Sequence, residues 1–272
     1  MGALAGRTPG RLWVVDVFPR GVLGELGTLL PRLTRAPWLV SRRVRSDYYL
    51  EPKVRAALER RYERVLWCEE PEPRLAGLEA RQERIPPICC RQPEECLGRP
   101  EARAALGVDP EQPLVIVLGS GSAAVQDDLL RLLLRVRDRI RDGFRLEVMS
   151  TVLPAGERTG LRVRALYPAM RYLRAADLVV SAAGYSAVWE SRSLGLPAIW
   201  LPQARRYDDQ AWRARGGLTA ATPRQLEETI ASSLRTRCAA QARPEPFCGA
   251  TVLAERLAGR LGAATPAPRR RT

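Results

Sequence analysis

The chain has 272 residues, 46% of them hydrophobic, enough to bury one or two ordinary cores and unlike disordered or fibrous classes. Its formal net charge is +14 and it contains no histidine, so a His base, a His-ligated metal and a Ser-His-Asp triad are excluded within this chain. The positive charge is nearly all arginine, Lys53 being the single lysine, and it suits anionic partners: nucleotide diphosphates, nucleic acid or an anionic membrane. Six cysteines (Cys68, Cys89, Cys90, Cys96, Cys238, Cys248) contain no CxxC pair, and they read as reduced thiols rather than zinc ligands. No apolar run approaches the ~20 residues of a membrane span, and no signal-peptide pattern opens the chain, so the expected location is cytoplasmic.

In chain order, residues 11–18 (RLWVVDVF) predict a buried strand, bounded by Gly10 and Pro19. The apolar spacing of residues 21–33 predicts a helix despite its glycines, and residues 37–40 (PWLV) predict a second strand. A charged amphipathic helix (AALERRYERVL) runs into a third strand at 64–68, and residues 85–89 (IPPIC) predict a fourth. Strands separated by helical patterns indicate a parallel α/β sheet. Polar residues 92–100, with two prolines, read as the interdomain linker. A short helix at 101–106 ends at Gly107, and residues 113–118 (PLVIVL) predict a strong buried strand. That strand enters a small-residue turn, Gly119-Ser120-Gly121-Ser122, and then a helix from Asp127 to about Arg141. Strand, small turn and helix can hold a phosphate, but the turn is neither a Walker A loop nor a full GxGxxG; a tight βα turn without ligand is the competing reading. Strands are expected at 145–149 and 161–165, a short helix at 167–175, a helix at 222–235 with Thr222 as N-cap and Pro223 at N1, and a last helix at 248–261.

Residues 176–211 (ADLVVSAAGYSAVWESRSLGLPAIWLPQARRYDDQA) carry the densest signal. They read as a strand, a turn through Gly184, a helix that Ser186 can cap, a C-terminal Gly195, a second strand at 197–201 and a polar loop at 203–210. Such a unit places ligands at the carboxyl ends of its strands, with anions at the helix N-terminus.

Three segments, LGSGSAA at 118–124, YPAMRYLRAADLVVSAAGYSAVWE at 167–190 and GLPAIWLPQARRYDDQ at 195–210, resemble the C-terminal domain of GT-B nucleotide-sugar glycosyltransferases, nearest to the MurG-like enzymes of glycosyltransferase family 28. Residues 14–26 (VVDVFPRGVLGEL) resemble a late part of such enzymes' N-terminal lobe, whose first strands and Gly-rich loop are not recognisable here. The fold implied is α/β, GT-B-like, with two Rossmann-like parallel-sheet lobes of which the N-terminal one is incomplete. The implied domains are a partial acceptor-side lobe at 1–97, a nucleotide-sugar-binding lobe at 98–264 and a disordered basic tail at 265–272.

The resemblance also implies roles. Glu190 would accept both ribose hydroxyls of the nucleotide, a task suited to two carboxylate oxygens; a first-turn acid serving the helix dipole is the bland reading. Gly184, Tyr185 and Ser186 would meet the diphosphate, or else form a capping turn only; Gly119, Ser120 and Gly121 would face the same diphosphate, or the acceptor, from across the cleft. Asp209 and Gln210, with Gln203, would bond donor-sugar hydroxyls, and Arg206, with neighbouring Arg205, would neutralise phosphate or simply be solvated. Asp16 is the acid considered as acceptor-side base. The implied activity is metal-independent, cofactor-free glycosyl transfer from a nucleoside diphosphate sugar, UDP-linked, to an unknown acceptor; whether that acceptor is lipid-linked, and whether the cytoplasmic protein touches the inner face of a membrane peripherally, stay open at this point. The alternative is a non-catalytic or split-subunit nucleotide-sugar-binding protein; an epimerase on the same fold ranks behind both. Nucleic acid is not expected, since aromatic residues are only 6% and no binding motif is present.

Overall fold

In the computed structural model of the protein, the residues described are 12–71, 75, 77–119, 123–139, 143–153, 156–158, 161–236, 244–245 and 247–262. They divide into two units, the first built from residues 12–88, 206–208 and 248–262, the second from 89–205 and 209–247. The switch into the second unit thus falls at Cys89, earlier than the expected linker at 92–100. The expected tail at 265–272 lies outside the described residues.

The first unit holds a four-stranded parallel sheet in the order β1 (Val14–Asp16), β2 (Trp38–Ser41), β3 (Arg64–Trp67) and β4 (Gln82–Arg84). Residue Val14 faces Trp38, Leu39 faces Val65 and Leu66 faces Glu83 across the ladders. The connection from β2 to β3 is two short helices, α1 (Ser46–Leu50) and α2 (Pro52–Arg61), the second opening on a proline at its first position. Leu39, Tyr49, Leu58, Tyr62 and Trp67 form the centre of this core. Two of the buried phenols are hydrogen-bonded: Tyr62 Oη donates to Pro19 O at 2.6 Å, and Tyr49 Oη pairs with Ser41 Oγ at 2.7 Å.

Two expectations fail in this unit for identifiable reasons. Residues 21–33 form two single 3₁₀ turns, Glu25–Gly27 and Leu30–Arg32, and no α-helix. Gly21 and Gly24 take φ of 78° and 82°, which a right-handed helix cannot contain, and Pro31 removes a further donor. The fourth strand is Gln82–Arg84 rather than 85–89, because Pro86 and Pro87 have no N–H to give a ladder. The helix Gly249–Gly262, expected in the second lobe, packs with the first unit. Arg256 and Arg260 pair with Glu83 at 2.8 Å and Glu63 at 3.0 Å, and an added Cβ on Gly249 would lie 2.1 Å from the Pro86 carbonyl oxygen.

The second unit opens with α3 (Arg99–Leu106), closed by left-handed Gly107. Then follow β5 (Leu114–Leu118), α4 (Ala123–Arg139), β6 (Arg145–Met149), β7 (Gly156–Arg158) and β8 (Leu161–Arg164). A 3₁₀ segment, Ala169–Ala175, leads to β9 (Leu178–Ser181), α5 (Tyr185–Ser193) and β10 (Ala198–Trp200). The unit ends with α6 (Gln210–Arg213), β11 (Leu218–Thr219) and α7 (Pro223–Arg235), where Thr222 accepts from the Gln225 N–H as the sequence predicts. Strand β7, absent from the sequence reading, is a three-residue antiparallel edge piece beside β8.

The sheet order is β11-β10-β9-β5-β6-β8-β7. Its central strands are apolar on both faces, as in a parallel sheet covered by helices on each side. In β5 the side chains of Leu114, Ile116 and Leu118 join one core with Ala102, Leu173 and Val188, whereas Val115 and Val117 join a second with Leu133, Leu226 and Ile230. Each fully buried Leu, Ile or Val of this kind contributes about 1.5–3 kcal/mol.

Candidate functional site

The order of strands fixes where a ligand can enter. From β5 the chain moves outward through β6 and β8, then returns to the other side of β5 as β9 and continues to β10 and β11. The direction therefore reverses between β5 and β9, and the crevice outside the carboxyl ends of those two strands is the ligand position of an open α/β sheet. Leu118 pairs with Ser181 in register, and Ser181 Oγ donates to Leu118 O at 3.2 Å. Gly119 and the 182–184 turn therefore leave the sheet side by side. Two motifs distant in sequence become neighbours through topology alone.

Helix α5 begins at this crevice. Its N-cap is Gly184, not Ser186, which lies in the first turn and is exposed; no side chain caps the helix. Gly184 has an ordinary φ of −68°, and a Cβ added there would meet no atom within 4 Å. Neither backbone nor packing demands glycine, and what its lack of a side chain provides is open space in front of a helix N-terminus. Gly119 differs: its Cβ would come 2.5 Å from Gln126 Oε1, and buried Gln126 is held by Ser150 Oγ at 2.5 Å. Ser120 and Gly121 lie outside the described residues. At its other end α5 closes with a Schellman motif, Gly195 at φ 67°, its N–H on Arg192 O at 3.0 Å and Leu196 N–H on Ser191 O at 2.9 Å.

Glu190 projects from the middle of α5 and is 8% exposed. Burial pushes its pKa above the ordinary carboxylate value, while hydrogen bonds from the thiol and the main-chain N–H of Cys90 act against that rise. Its neighbour Trp189 packs edge-on against Phe247 at 5.2 Å and under the Arg192 guanidinium at 5.0 Å, which fixes the middle of the helix.

The loop after β10 is braced internally. Gln210 is buried, and its Oε1 accepts from Gln203 N at 2.9 Å. Asp209 caps α6 by accepting from Trp212 N at 3.1 Å, and Arg205 Nη2 donates to Gln203 Oε1 at 2.7 Å. Arg213, 2% exposed, donates from Nη1 to Ala183 O at 3.0 Å and so ties α6 to the turn in front of α5. The sequence reading missed Arg213 and Cys90; no local pattern distinguishes either from its neighbours. Arg206 belongs with the first unit and is stacked 4.9 Å from the Tyr207 ring.

In the first unit Asp16 ends β1, exposed, at a cavity of about 280 Å³ lined by Trp13, Leu26, Leu29, Leu33 and Glu25 among others. Val17 follows it at φ 58°, the one non-glycine residue at positive φ among the described residues. Phe18 N–H closes this turn on Asp16 O at 2.7 Å. A β-branched residue there stores about 1–3 kcal/mol of strain, a feature that gathers at functional positions.

Two parallel-sheet units, one of them a sheet with a central reversal, are the architecture of GT-B glycosyltransferases. The solved structures agree. A kitacinnamycin glycotransferase superposes with a TM-score of 0.52 at 18% identity, covering 92% of this chain and 76% of that one. A calicheamicin glycosyltransferase gives 0.58 at 16%, covering 95% and 76%, and Acinetobacter baumannii MurG 0.54 at 16%, covering 87% and 69%. The chain has the GT-B fold.

Within that class, residues 165–215 match the glycosyltransferase family 28 C-terminal domain. The UDP-N-acetylglucosamine–N-acetylmuramyl-(pentapeptide) pyrophosphoryl-undecaprenol N-acetylglucosamine transferase of Clavibacter sepedonicus is 33% identical over 129 residues, 45% of this chain and 34% of its own. The enzyme of that name from Thermus thermophilus is 32% identical over 178 residues, 58% of this chain and 50% of its own. The chain spans between a third and a half of the length of these curated relatives. The MurG-like resemblance read from the sequence holds, and it is centred on β9, α5 and β10.

Proposed function

We propose that the protein is a hexosyltransferase that takes a sugar from UDP-N-acetylglucosamine or a close UDP-sugar and passes it to a lipid-linked acceptor. The observation that carries this reading is Glu190, a buried carboxylate on the helix whose open N-terminus stands at the sheet's reversal point. In this reading Glu190 accepts the ribose hydroxyls. The diphosphate lies over Gly184, Tyr185 and Ser186, where main-chain N–H groups and the helix dipole meet the charge that develops as the sugar leaves. Asp209 faces the donor sugar, and Gln210, whose carbonyl oxygen is already taken by Gln203, contributes through its amide N–H₂. Metal independence follows from that division of labour, and transfer is expected to persist in excess chelator.

Asp16 is the acceptor-side base in this reading, placed at a strand end beside an apolar cavity and a strained turn. Leu23, 87% exposed, and Val22, 49% exposed, support peripheral contact with an anionic membrane near Arg20. No described helix is long and apolar enough to cross a membrane. The relatives' acceptor is a pyrophosphoryl-undecaprenol, and the same acceptor class is proposed here.

The test is UDP release from UDP-sugar with lipid-linked acceptor. Asp16→Asn is expected to lower transfer about 100-fold or more, the scale of a lost general base, with UDP affinity unchanged. Failure of the parent chain to prefer UDP over other nucleotides overturns the reading. UDP binding without transfer favours the second reading, a donor-binding subunit, which the absence of histidine from the chain supports.

A further inference from the structure

We propose that Arg213 is a positioning residue for the diphosphate: its buried guanidinium fixes the main chain that leads into α5 and places a positive charge there. This rests on the reading of the α5 N-terminus as the diphosphate seat. Helix α5 begins on Gly184 with no side-chain cap, and glycine is the residue whose backbone turns most readily. The segment that enters the helix is held from elsewhere. The peptide unit joining Ala183 to Gly184 is anchored at both ends: its carbonyl oxygen accepts from Arg213 Nη1 at 3.0 Å, and its N–H donates to Ala182 O at 2.7 Å. The next peptide unit is anchored by the helix itself, the Gly184 carbonyl accepting from Val188 N–H at 3.1 Å. The two peptide planes that meet at Gly184 are thus both fixed, and the second carries the Tyr185 N–H at the head of the helix dipole.

Arg213 also acts by charge. It is 2% exposed, and Ala182 and Ala183 are 4% and 0% exposed, so solvent does not replace its hydrogen bond when the side chain is removed. A bare carbonyl one residue ahead of the helix cap puts a negative dipole where an anion is to bind. A guanidinium on that oxygen offsets the dipole and leaves a fixed positive charge near the helix N-terminus. Its placement follows from α6, a single turn. Asp209 caps that turn through Trp212 N–H at 3.1 Å, and Arg213 N–H closes on Asp209 O at 3.2 Å. Arg213 therefore reaches from the segment carrying Asp209 and Gln210, the proposed sugar end, to the turn at the proposed diphosphate end, and holds the two in register.

The experiment titrates the full chain with UDP and, separately, with uridine, which keeps the base and ribose but has no phosphate. It compares the parent, Arg213→Met, Arg213→Gln and Arg213→Lys, with thermal unfolding recorded for each. Arg213→Met is expected to bind UDP about tenfold more weakly, the effect of one hydrogen bond involving a charged group. Uridine affinity is expected to stay within about twofold of the parent's, as for a ligand that does not share the perturbed contact. Arg213→Lys restores a charged donor for the Ala183 carbonyl and recovers most of the UDP affinity. Arg213→Gln keeps a donor without the charge, so its preference for UDP over uridine falls between the two, and it carries the comparison where the methionine chain does not fold. A residue that only fills space would weaken both ligands by the same factor. That result, or an unmoved preference in the folded neutral variants, overturns the assignment of Arg213 while leaving the nucleotide site intact. A parent chain that does not bind UDP overturns both.

Discussion

Replacing Glu190 with glutamine weakens UDP binding by about 10- to 100-fold and at the same time raises the unfolding temperature at neutral pH. The first effect follows because hydrogen bonds to a charged acceptor are worth about 1.5–3 kcal/mol, and a neutral amide offers one carbonyl oxygen where the carboxylate offers two. The second follows from burial, which holds the folded-state pKa of Glu190 above its ordinary value. A raised acid pKa means that the folded chain keeps this proton to higher pH than the unfolded chain does. Its stabilising contribution is present below the unfolded pKa and is lost as pH rises through the folded one, so at pH 7 the ionised side chain is a net cost. Glutamine removes that cost. The stability difference between variant and parent is therefore positive at pH 7 and shrinks as pH falls into the carboxylate range. Paired UDP titrations and thermal melts at neutral and acid pH check both halves. A variant that binds as the parent does, or that melts lower at pH 7, contradicts the argument.

What the sequence made legible tracks how locally each feature is determined. Strand β5 was readable to within a residue because both faces are buried, which leaves an uninterrupted apolar run. The N-cap at Thr222 and the Schellman glycine Gly195 were readable because one residue type satisfies one backbone requirement. Strand β4 was misplaced because Gln82-Glu83-Arg84 carries no apolar signal, and its identity as a strand comes from pairing with β3. Residues 21–33 misled because apolar spacing is helical while the backbone is set by two left-handed glycines. The candidate site shows the same division. Its members on α5 and the β10 loop were visible as a contiguous motif. That Gly119 stands beside the 182–184 turn depends on the sheet reversing direction, and that Cys90 meets Glu190 depends on how the entering segment packs; neither has a local signature.

The largest stability effect is expected far from the crevice, at Arg103. This side chain is 3% exposed, and its guanidinium closes the opposite, amino-terminal end of the sheet. Nη1 donates to the carbonyl oxygens of Asp109 at 2.6 Å, Pro110 at 3.1 Å and Gln112 at 2.8 Å, which shapes the turn that feeds β5. Nη2 donates to Asp177 Oδ2 at 2.7 Å, and Asp177 also takes Arg99 and the Leu114 N–H, tying the starts of β5 and β9 together. Arg103→Met preserves most of the volume but leaves three turn carbonyls without their donor and Asp177 with a reduced shell. A loss of about 3 kcal/mol is expected, at the lower end for removing one partner of a buried charge pair because Asp177 keeps Arg99. For a unit of this size that is a fall of roughly 6–12 °C in unfolding temperature. Lysine recovers little, since a single ammonium cannot reach the carbonyls and the carboxylate with the geometry of a planar fork. Because this cluster sits at the strand ends opposite the helix N-terminus of α5, UDP affinity measured well below the variant's melt stays within about twofold of the parent's, the scale expected for independent distant sites. Urea unfolding combined with UDP titration separates the two quantities. An Arg103→Met chain that unfolds with the parent, or that loses nucleotide affinity while still folded, contradicts the assignment of Arg103 to architecture and of the crevice to chemistry.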